Sequence, residues 1–467
     1  MADLKPLILD IDGTFLKTDM LYECFWGALG KNPIATLKTS VRYIGDRARL
    51  KRELAELAEL RTDLLPVHKD VKNYGEAALS EGREVVLVSA SDQSLVSRLA
   101  QDHGLSGNSK GSDGATNLKG AAKADYLVGT WGEREFDYAG DHTADRAIWA
   151  KSNMALVVGK IDAQARTGQE VVHFDGGWKF RALLMALRPH QWVKNILLFL
   201  PVLAAHDFTM SALLLVIAGI VAFSAAASSI YIVNDLLDLE ADRQHIKKRY
   251  RPFAAGTVPI PVGMATFVLL AGGALALGAA LGAKFLLGVA IYMTLSLAYS
   301  LQLKRMRWVD IAVLASLYTL RVVAGAAATG VEASLYMLIF IFPIFITLGC
   351  VKRMTELAQA VNDEPLPGRG YGRRDMGDLV NVSGLGMVFA LLIFFLYSRS
   401  DQALTLYPTQ WLLWVAMVPM AAWVVRMIRL GYHGKQDYDP IVFALKDKRG
   451  IGYLLITLSL IFCASGL

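Results

Sequence analysis

Residues 234–256 read NDLLDLEADRQHIKKRYRPFAAG. Asp235, Asp238 and Asp242 follow the spacing i, i+3, i+7, which places them on one face of a helix. Three like charges on one face repel unless a hard cation sits among them, and magnesium takes oxygen ligands of this kind. Five basic residues follow almost at once: Arg243, Lys247, Lys248, Arg249 and Arg251. Acids that hold a divalent cation, next to positive side chains, suit a diphosphate. The stretch lies between apolar runs at about 211–235 and 261–282. Charge is costly at a membrane edge, so acids placed there point to function.

The chain has 467 residues, 54% of them hydrophobic, unevenly spread. Residues 1–180 have the charge density of a soluble domain. Beyond them come nine predicted spans, near 183–205, 211–235, 261–282, 284–302, 308–329, 334–351, 380–398, 407–428 and 451–466. Their lengths suit a bilayer core of about 30 Å. Arg188, His190 and Lys194 interrupt the start of the first. The loops after spans two, four, six and eight hold 5, 3, 5 and 5 Lys and Arg residues, against Lys284 and Arg399 on the other face. The positive-inside rule makes the rich loops, and with them the N-terminal domain, cytoplasmic, and the expected location is a bacterial inner membrane. The net charge of +6 reflects these loops and needs no nucleic acid. Cys24, Cys350 and Cys463 form no metal or disulfide pattern. MADLKPLILDIDGT lacks a signal-peptide layout.

PLILDIDGT reads as a buried strand and a turn, with Asp10 and Asp12 on one side of its end. REVVLVSAS reads as a second strand carrying Ser89. Lys119 follows in NLKGAAKADYLVG, and Asp141 and Asp145 in FDYAGDHTADRAIW. Strands alternating with helices predict a parallel sheet, whose ligands collect at the carboxyl ends of the strands. The ordered set resembles the haloacid dehalogenase-like phosphatase family over about residues 5–160. The resemblance implies a Rossmann-like α/β fold with a helical cap at about 20–80. It makes Asp10 the nucleophile and Asp12 the acid/base, with Ser89 and Lys119 on the phosphoryl oxygens. Asp10, the Asp12 carbonyl and Asp141 would hold magnesium, supported by Asp145.

The remainder resembles the UbiA superfamily of intramembrane prenyltransferases, a nine-helix all-α transmembrane bundle. The family's first aspartate-rich motif, NDxxDxxxD, fits Asn234, Asp235, Asp238 and Asp242 position by position. Where members carry a second acidic motif, this chain reads GCVKRMTELAQA, with Lys352, Arg353 and Glu356. LRPHQWVKNILLFLP, the quoted stretch and KRMTEL look like the branch that transfers 5-phosphoribose from phosphoribosyl diphosphate (PRPP) to decaprenyl phosphate. That resemblance implies that Asp235, Asp238 and Asp242 hold magnesium and the diphosphate, with Asn234 orienting. Lys248, Arg249 and Arg251 would bind donor phosphates. Lys194, Lys352 and Arg353 would bind either the ribose 5-phosphate or the lipid phosphate. Tyr299, Lys304 and Arg321 are further candidates. Arg321 lies inside a span, where an ionisable side chain suggests function, although a paired structural arginine reads equally well.

The expected organisation is a phosphatase domain at 1–165, an amphipathic linker at 166–182 and a transmembrane transferase at 183–467, with one magnesium in each catalytic domain. Transfer to a polyprenyl phosphate leaves a 5-phosphate that the N-terminal domain would remove. The product would be polyprenyl-phospho-ribose, a precursor for lipid-linked ribose or arabinofuranose. The alternative is an aromatic or quinone prenyltransferase fused to an unrelated phosphatase, with Asp375 and Asp378 as its weak second acidic cluster. A transporter would place polar sites at mid-membrane, whereas here they gather at one face. Lipid chain length and homo-oligomer formation stay open.

Overall fold

The computed structural model describes residues 4–113, 117–360, 369–436 and 439–466. The chain forms two compact units, Met1–Leu187 with Tyr231–Phe267, and Arg188–Ile230 with Val268–Leu467.

The first unit is built on a six-stranded sheet, all pairs parallel: β1 (Leu7–Leu9), β2 (Val85–Asp92), β3 (Lys110–Ser112), β4 (Asp137–Gly140), β5 (Ala155–Val158) and β6 (Val171–Phe174). The order is β3-β2-β1-β4-β5-β6. Successive side chains take opposite faces. Leu7, Leu9, Val85 and Leu87 therefore join one apolar layer with Met20, Leu54, Val71 and Leu95. Ile8, Val86, Val88 and Tyr138 join the other with Ala124, Leu127 and Trp149. Helices cover both faces, as continuous apolar strands require. The strand order reverses at β1, which opens a crevice beyond the ends of β1 and β4.

Two details differ from expectation. β6 falls inside the stretch read as a linker and pairs with β5 from Ala155↔Val171 to Val158↔Phe174. Within the expected cap, helices Met20–Lys31, Pro33–Arg42 and Arg47–Ala58 pack together, but helix Lys69–Ser80 lies on the sheet. A Cβ on Gly75 would be 3.7 Å from Leu9 and 3.8 Å from Val85. This segment is thus a crossover helix.

Eight helices among the described residues are long and apolar enough to cross a membrane: Met210–Leu237, Ile260–Ala280, Ala283–Leu301, Val309–Thr329, Leu335–Gln359, Arg373–Ser398, Trp411–Tyr432 and Lys448–Ser465. The chain is a multi-pass membrane protein. The first of the nine expected spans is instead three short pieces, Phe180–Ala186, a 3-10 stretch Pro189–Phe199 and Leu200–Ala205. Arg188 at φ +53 and Pro189 break the helix there. Within the second unit Leu335–Gln359 packs against Val309–Thr329, Trp411–Tyr432 and the helix Met376–Ser398.

Candidate functional site

At the crevice beyond β1 and β4, three carboxylates converge. One oxygen each of Asp10, Asp141 and Asp145 lie within 4.8 Å of one another. Turns force the approach. Gly13 has φ +80, and a Cβ there would sit 2.1 Å from Asp141 Oδ2. Asp145 Oδ2 accepts from the amides of Asp141 (3.2 Å) and His142 (3.0 Å). Thr14 donates to Asp141 Oδ1 at 3.2 Å. Burial and then the charge of Asp10 push Asp141 up to about 8. Such a cluster fits a hard divalent cation, which would favour the ionised form of Asp141.

The lysine that reaches Asp10 is Lys123, not Lys119. Lys123 Nζ is 2.7 Å from Asp10 Oδ1, and donates to Tyr138 Oη at 2.9 Å. Tyr138 in turn donates to Asp145 Oδ1 at 3.0 Å. Lys119 precedes helix Ala121–Trp131 and is exposed, whereas Lys123 lies one turn further, buried against the sheet. Ser89 is buried and accepts from the Ser91 amide at 3.1 Å. It is Ser91 that donates to Asp12 Oδ2, at 2.8 Å, while Met20 N donates to Asp12 Oδ1 at 2.8 Å. Burial and then the charge of Asp19 push Asp12 up to about 7. Lys51, from helix Arg47–Ala58, donates to Ala90 O at 2.6 Å, and burial lowers its ammonium below the usual range. Sequence reasoning missed Lys123, Ser91, Tyr138 and Lys51; the second lysine in NLKGAAK was the one signal available.

The aspartate motif is arranged differently. Helix Met210–Leu237 ends before Asp238, which starts the six-residue helix Leu239–Gln244. Asp242 N still bonds Asp238 O at 2.8 Å, so the expected face is kept. Arg251 Nη1 sits between the acids, 3.2 Å from Asp235 Oδ1 and 3.0 and 2.8 Å from the two oxygens of Asp242. Asp235 and Asp242 are buried. Asn234 donates to Asp238 Oδ2 at 3.2 Å. Burial raises Asp242, against the pull of Arg251. Among the described residues no three of these carboxylates gather as Asp10, Asp141 and Asp145 do. The oxygens around Arg251 Nη1 fit a cation, and magnesium bound there would displace that nitrogen. Lys248 and Arg249 are exposed, and Arg249 lies over the Tyr250 ring at 5.0 Å.

In the second unit the expected cations fall into two groups. Lys194 Nζ is 2.5 Å from Asp439 Oδ2, which also accepts from Tyr318 at 3.1 Å. Asp439 caps the helix Pro440–Ala444. Burial would raise Asp439, but the charges of Lys194 and Lys352 hold it down at about 2. Lys352 therefore faces this group. Arg321 completes it, donating to Asn195 Oδ1 at 2.9 Å and Tyr292 Oη at 3.0 Å, with its guanidinium over the Tyr292 ring at 4.7 Å.

Arg353 points elsewhere. It is fully buried, with Nε 2.7 Å from Asp310 Oδ2 in an ion pair off the hydrogen-bonding angle. It also pairs with Glu356 and donates to Tyr299 Oη at 3.2 Å. Arg369 adds contacts to Tyr299 (3.0 Å) and Asp310 (3.3 Å). Among the described residues two arginines, Arg353 and Arg369, meet two acids, Asp310 and Glu356, around Tyr299. Asp310 lies inside a predicted span and was open to discovery on that ground. Lys304 lies half-buried in the 3-10 turn Leu303–Arg305. Arg307 takes up both Asp375 (2.8 Å) and Asp378 (2.5 Å), so these acids do not form a free second cluster.

The chain is 36% identical over 461 residues to the uncharacterized protein y4nM of Sinorhizobium fredii, covering 95% of this chain and 88% of that one. It is 39% identical over 183 residues to decaprenyl-phosphate phosphoribosyltransferase of Mycobacterium tuberculosis, covering 38% of this chain and 60% of that protein. The solved structure of a UbiA homolog from Archaeoglobus fulgidus bound to GPP and Mg2+ aligns with a TM-score of 0.45 at 15% identity, over 61% of this chain and 100% of that one. Residues 196–446, more than half of the chain, match the UbiA prenyltransferase family, and the chain belongs to that family.

Proposed function

We propose that this protein transfers 5-phosphoribose from PRPP to a polyprenyl phosphate, and that its N-terminal domain then hydrolyses the 5-phosphate. The observation that carries the transfer reading is the set of cations Lys194, Lys352 and Arg321 about Asp439, of which Lys352 stands in the segment where the prenyltransferase resemblance implies a second acidic motif. It suits a phosphate bound directly. The 39% identity to a decaprenyl-phosphate phosphoribosyltransferase supports the same reading.

A lipid phosphate oxygen would attack C1 of the ribose while the C1–O bond to pyrophosphate breaks, its electrons leaving with pyrophosphate. The acceptor is already an anion, so no strong base is required; positioning and charge carry the catalysis. Asp235, Asp238 and Asp242 would hold magnesium, which neutralises the leaving diphosphate, and Arg251 would turn from the acids to the donor phosphates.

The N-terminal site supports phosphate monoester hydrolysis by a haloacid dehalogenase-like route. Asp10 would attack phosphorus, Asp12 would protonate the departing C5 oxygen, and Asp12 would then take the proton of the water that releases phosphate. Lys123 neutralises charge beside Asp10. Asp10, the Asp12 carbonyl and Asp141 would hold magnesium, with Asp145 behind them.

The test uses membranes carrying the full chain, labelled PRPP, magnesium and a polyprenyl phosphate. Wild type is expected to form dephosphorylated ribosyl lipid, Asp10→Asn to stop at the 5-phosphate, and Asp235→Asn to label nothing. Absence of label in lipid for wild type overturns the transfer step. A folded Asp10→Asn protein that still yields dephosphorylated lipid overturns the hydrolytic one.

A further inference from the structure

Arg243 has no part in the chemistry above, yet it is the best-anchored cation of the aspartate stretch. It leaves the face that carries Asp242 and enters the N-terminal domain. Its Nη2 is 2.6 Å from Glu23 Oε1, its Nη1 3.0 Å from Glu23 Oε2, and its Nε donates to Ala254 O at 3.0 Å. The side chains are 7% and 1% exposed. Thr18 holds Glu23 Oε1 at 2.7 Å. Close packing surrounds the pair: Gly256 has φ +66, and a Cβ there would lie 2.7 Å from Lys17 and 3.0 Å from Pro66.

A six-residue helix such as Leu239–Gln244 is not stable by itself, so its shape comes from contacts. Beside the buried Leu239, two neighbouring residues make its ionic contacts, Asp242 to Arg251 and Arg243 to Glu23. Glu23 belongs to the first turn of helix Met20–Lys31, whose first amide donates to Asp12. One helical turn and one bidentate ion pair therefore join Asp12 to the aspartate loop. A buried pair of this kind demands both partners, because loss of one strands a charge away from water.

We propose that Glu23 and Arg243 are positioning residues: their ion pair fixes the aspartate loop to the N-terminal domain, so that the face of Asp235, Asp238 and Asp242 is assembled on that domain. The inference rests on the functional reading only for its activity readout.

The test is a cycle of wild type, Glu23→Gln, Arg243→Gln and the double variant, as full-length protein in lipid discs. Hydrogen exchange of amides 239–256 is expected to quicken by about tenfold in each single variant while β1 and β2 keep their protection. The magnesium needed for half-maximal transfer should rise severalfold, and the double variant should be no worse than the worse single one. Hydrolysis of p-nitrophenyl phosphate, read on Arg243→Gln, should stay within about twofold. Arg243→Lys keeps the charge without the fork and guards against simple misfolding; it too should loosen the loop. Unchanged exchange at 239–256, or effects that simply multiply in the double variant, overturns the proposal. A loosened loop in a chain that makes no ribosyl lipid keeps it and sinks the functional reading instead.

Discussion

The two acidic clusters of the first unit make a useful contrast. Asp10, Asp141 and Asp145 are carried by strand ends and tight turns, and the turns hold them close despite their repulsion. Asp235, Asp238 and Asp242 sit on a helical stretch that breaks at Asp238, and Arg251 lies among them. The first cluster could hold a divalent cation, with Lys123 paired to Asp10 at its edge. In the second the cation lies between two of the acids, Asp235 and Asp242, where a bound metal would displace it. Identical residue types thus sit in different surroundings, because strand ends and tight turns gather the first three carboxylates while a broken helical stretch spaces the second three along one face.

The largest expected effect tests the strand-end cluster. Asp10→Asn should lower phosphate monoester hydrolysis by on the order of 10³-fold or more, measured on the ribosyl lipid and on p-nitrophenyl phosphate. Retained turnover would remove Asp10 from the nucleophile's role. Next, Lys123→Met should cost about 10²-fold, whereas Lys119→Met should stay within about threefold. The reverse order would restore Lys119 to the site.

A smaller effect concerns the helical cluster. Arg251→Gln removes the competing cation, so magnesium should bind there about tenfold more tightly, read by calorimetry in an Asp10→Asn, Asp141→Asn background. The same change should raise the KM for PRPP, since a donor contact is lost. Weaker magnesium binding would mean that Arg251 builds the site rather than competes in it.

The last expected effect lies in the second unit and is read as stability. Asp439 titrates below the ordinary carboxylate value, so it is stabilising when ionised. That contribution is fully present above about pH 4 and is lost as pH falls through about 2. It is worth roughly 2 kcal/mol. The Tm of Asp439→Asn should lie below wild type at pH 7, and the gap should close toward pH 2. A gap independent of pH would assign the loss to the helix cap instead.

Much of this was legible beforehand. The alternation of strands and helices gave the parallel sheet, and Asp10, Asp141 and Asp145 lie where strand-end spacing puts them. Asn234 to Asp242 keep one face because their backbone hydrogen bonds run on across the break. Lys119 and Lys123 could not be told apart, since either lies near the start of the same helix and only the packing of that helix selects one. Lys352 and Arg353 are neighbours in sequence but about 100° apart around a helix, so one joins Lys194 and the other is consumed by Asp310. Asp439 and Glu23 carried no signal at all; each matters through a partner hundreds of residues away.

The sequence by itself determined what depends on local period and composition: membrane segments, the parallel sheet, and acids grouped by spacing along one strand or helix. Tertiary structure alone decided which cation meets which acid. Ion pairing falls off over a few ångströms, and residues that far apart in space can lie anywhere along the chain. Arg251 among the aspartates, Lys123 on Asp10 and Arg243 on Glu23 are all choices of that kind.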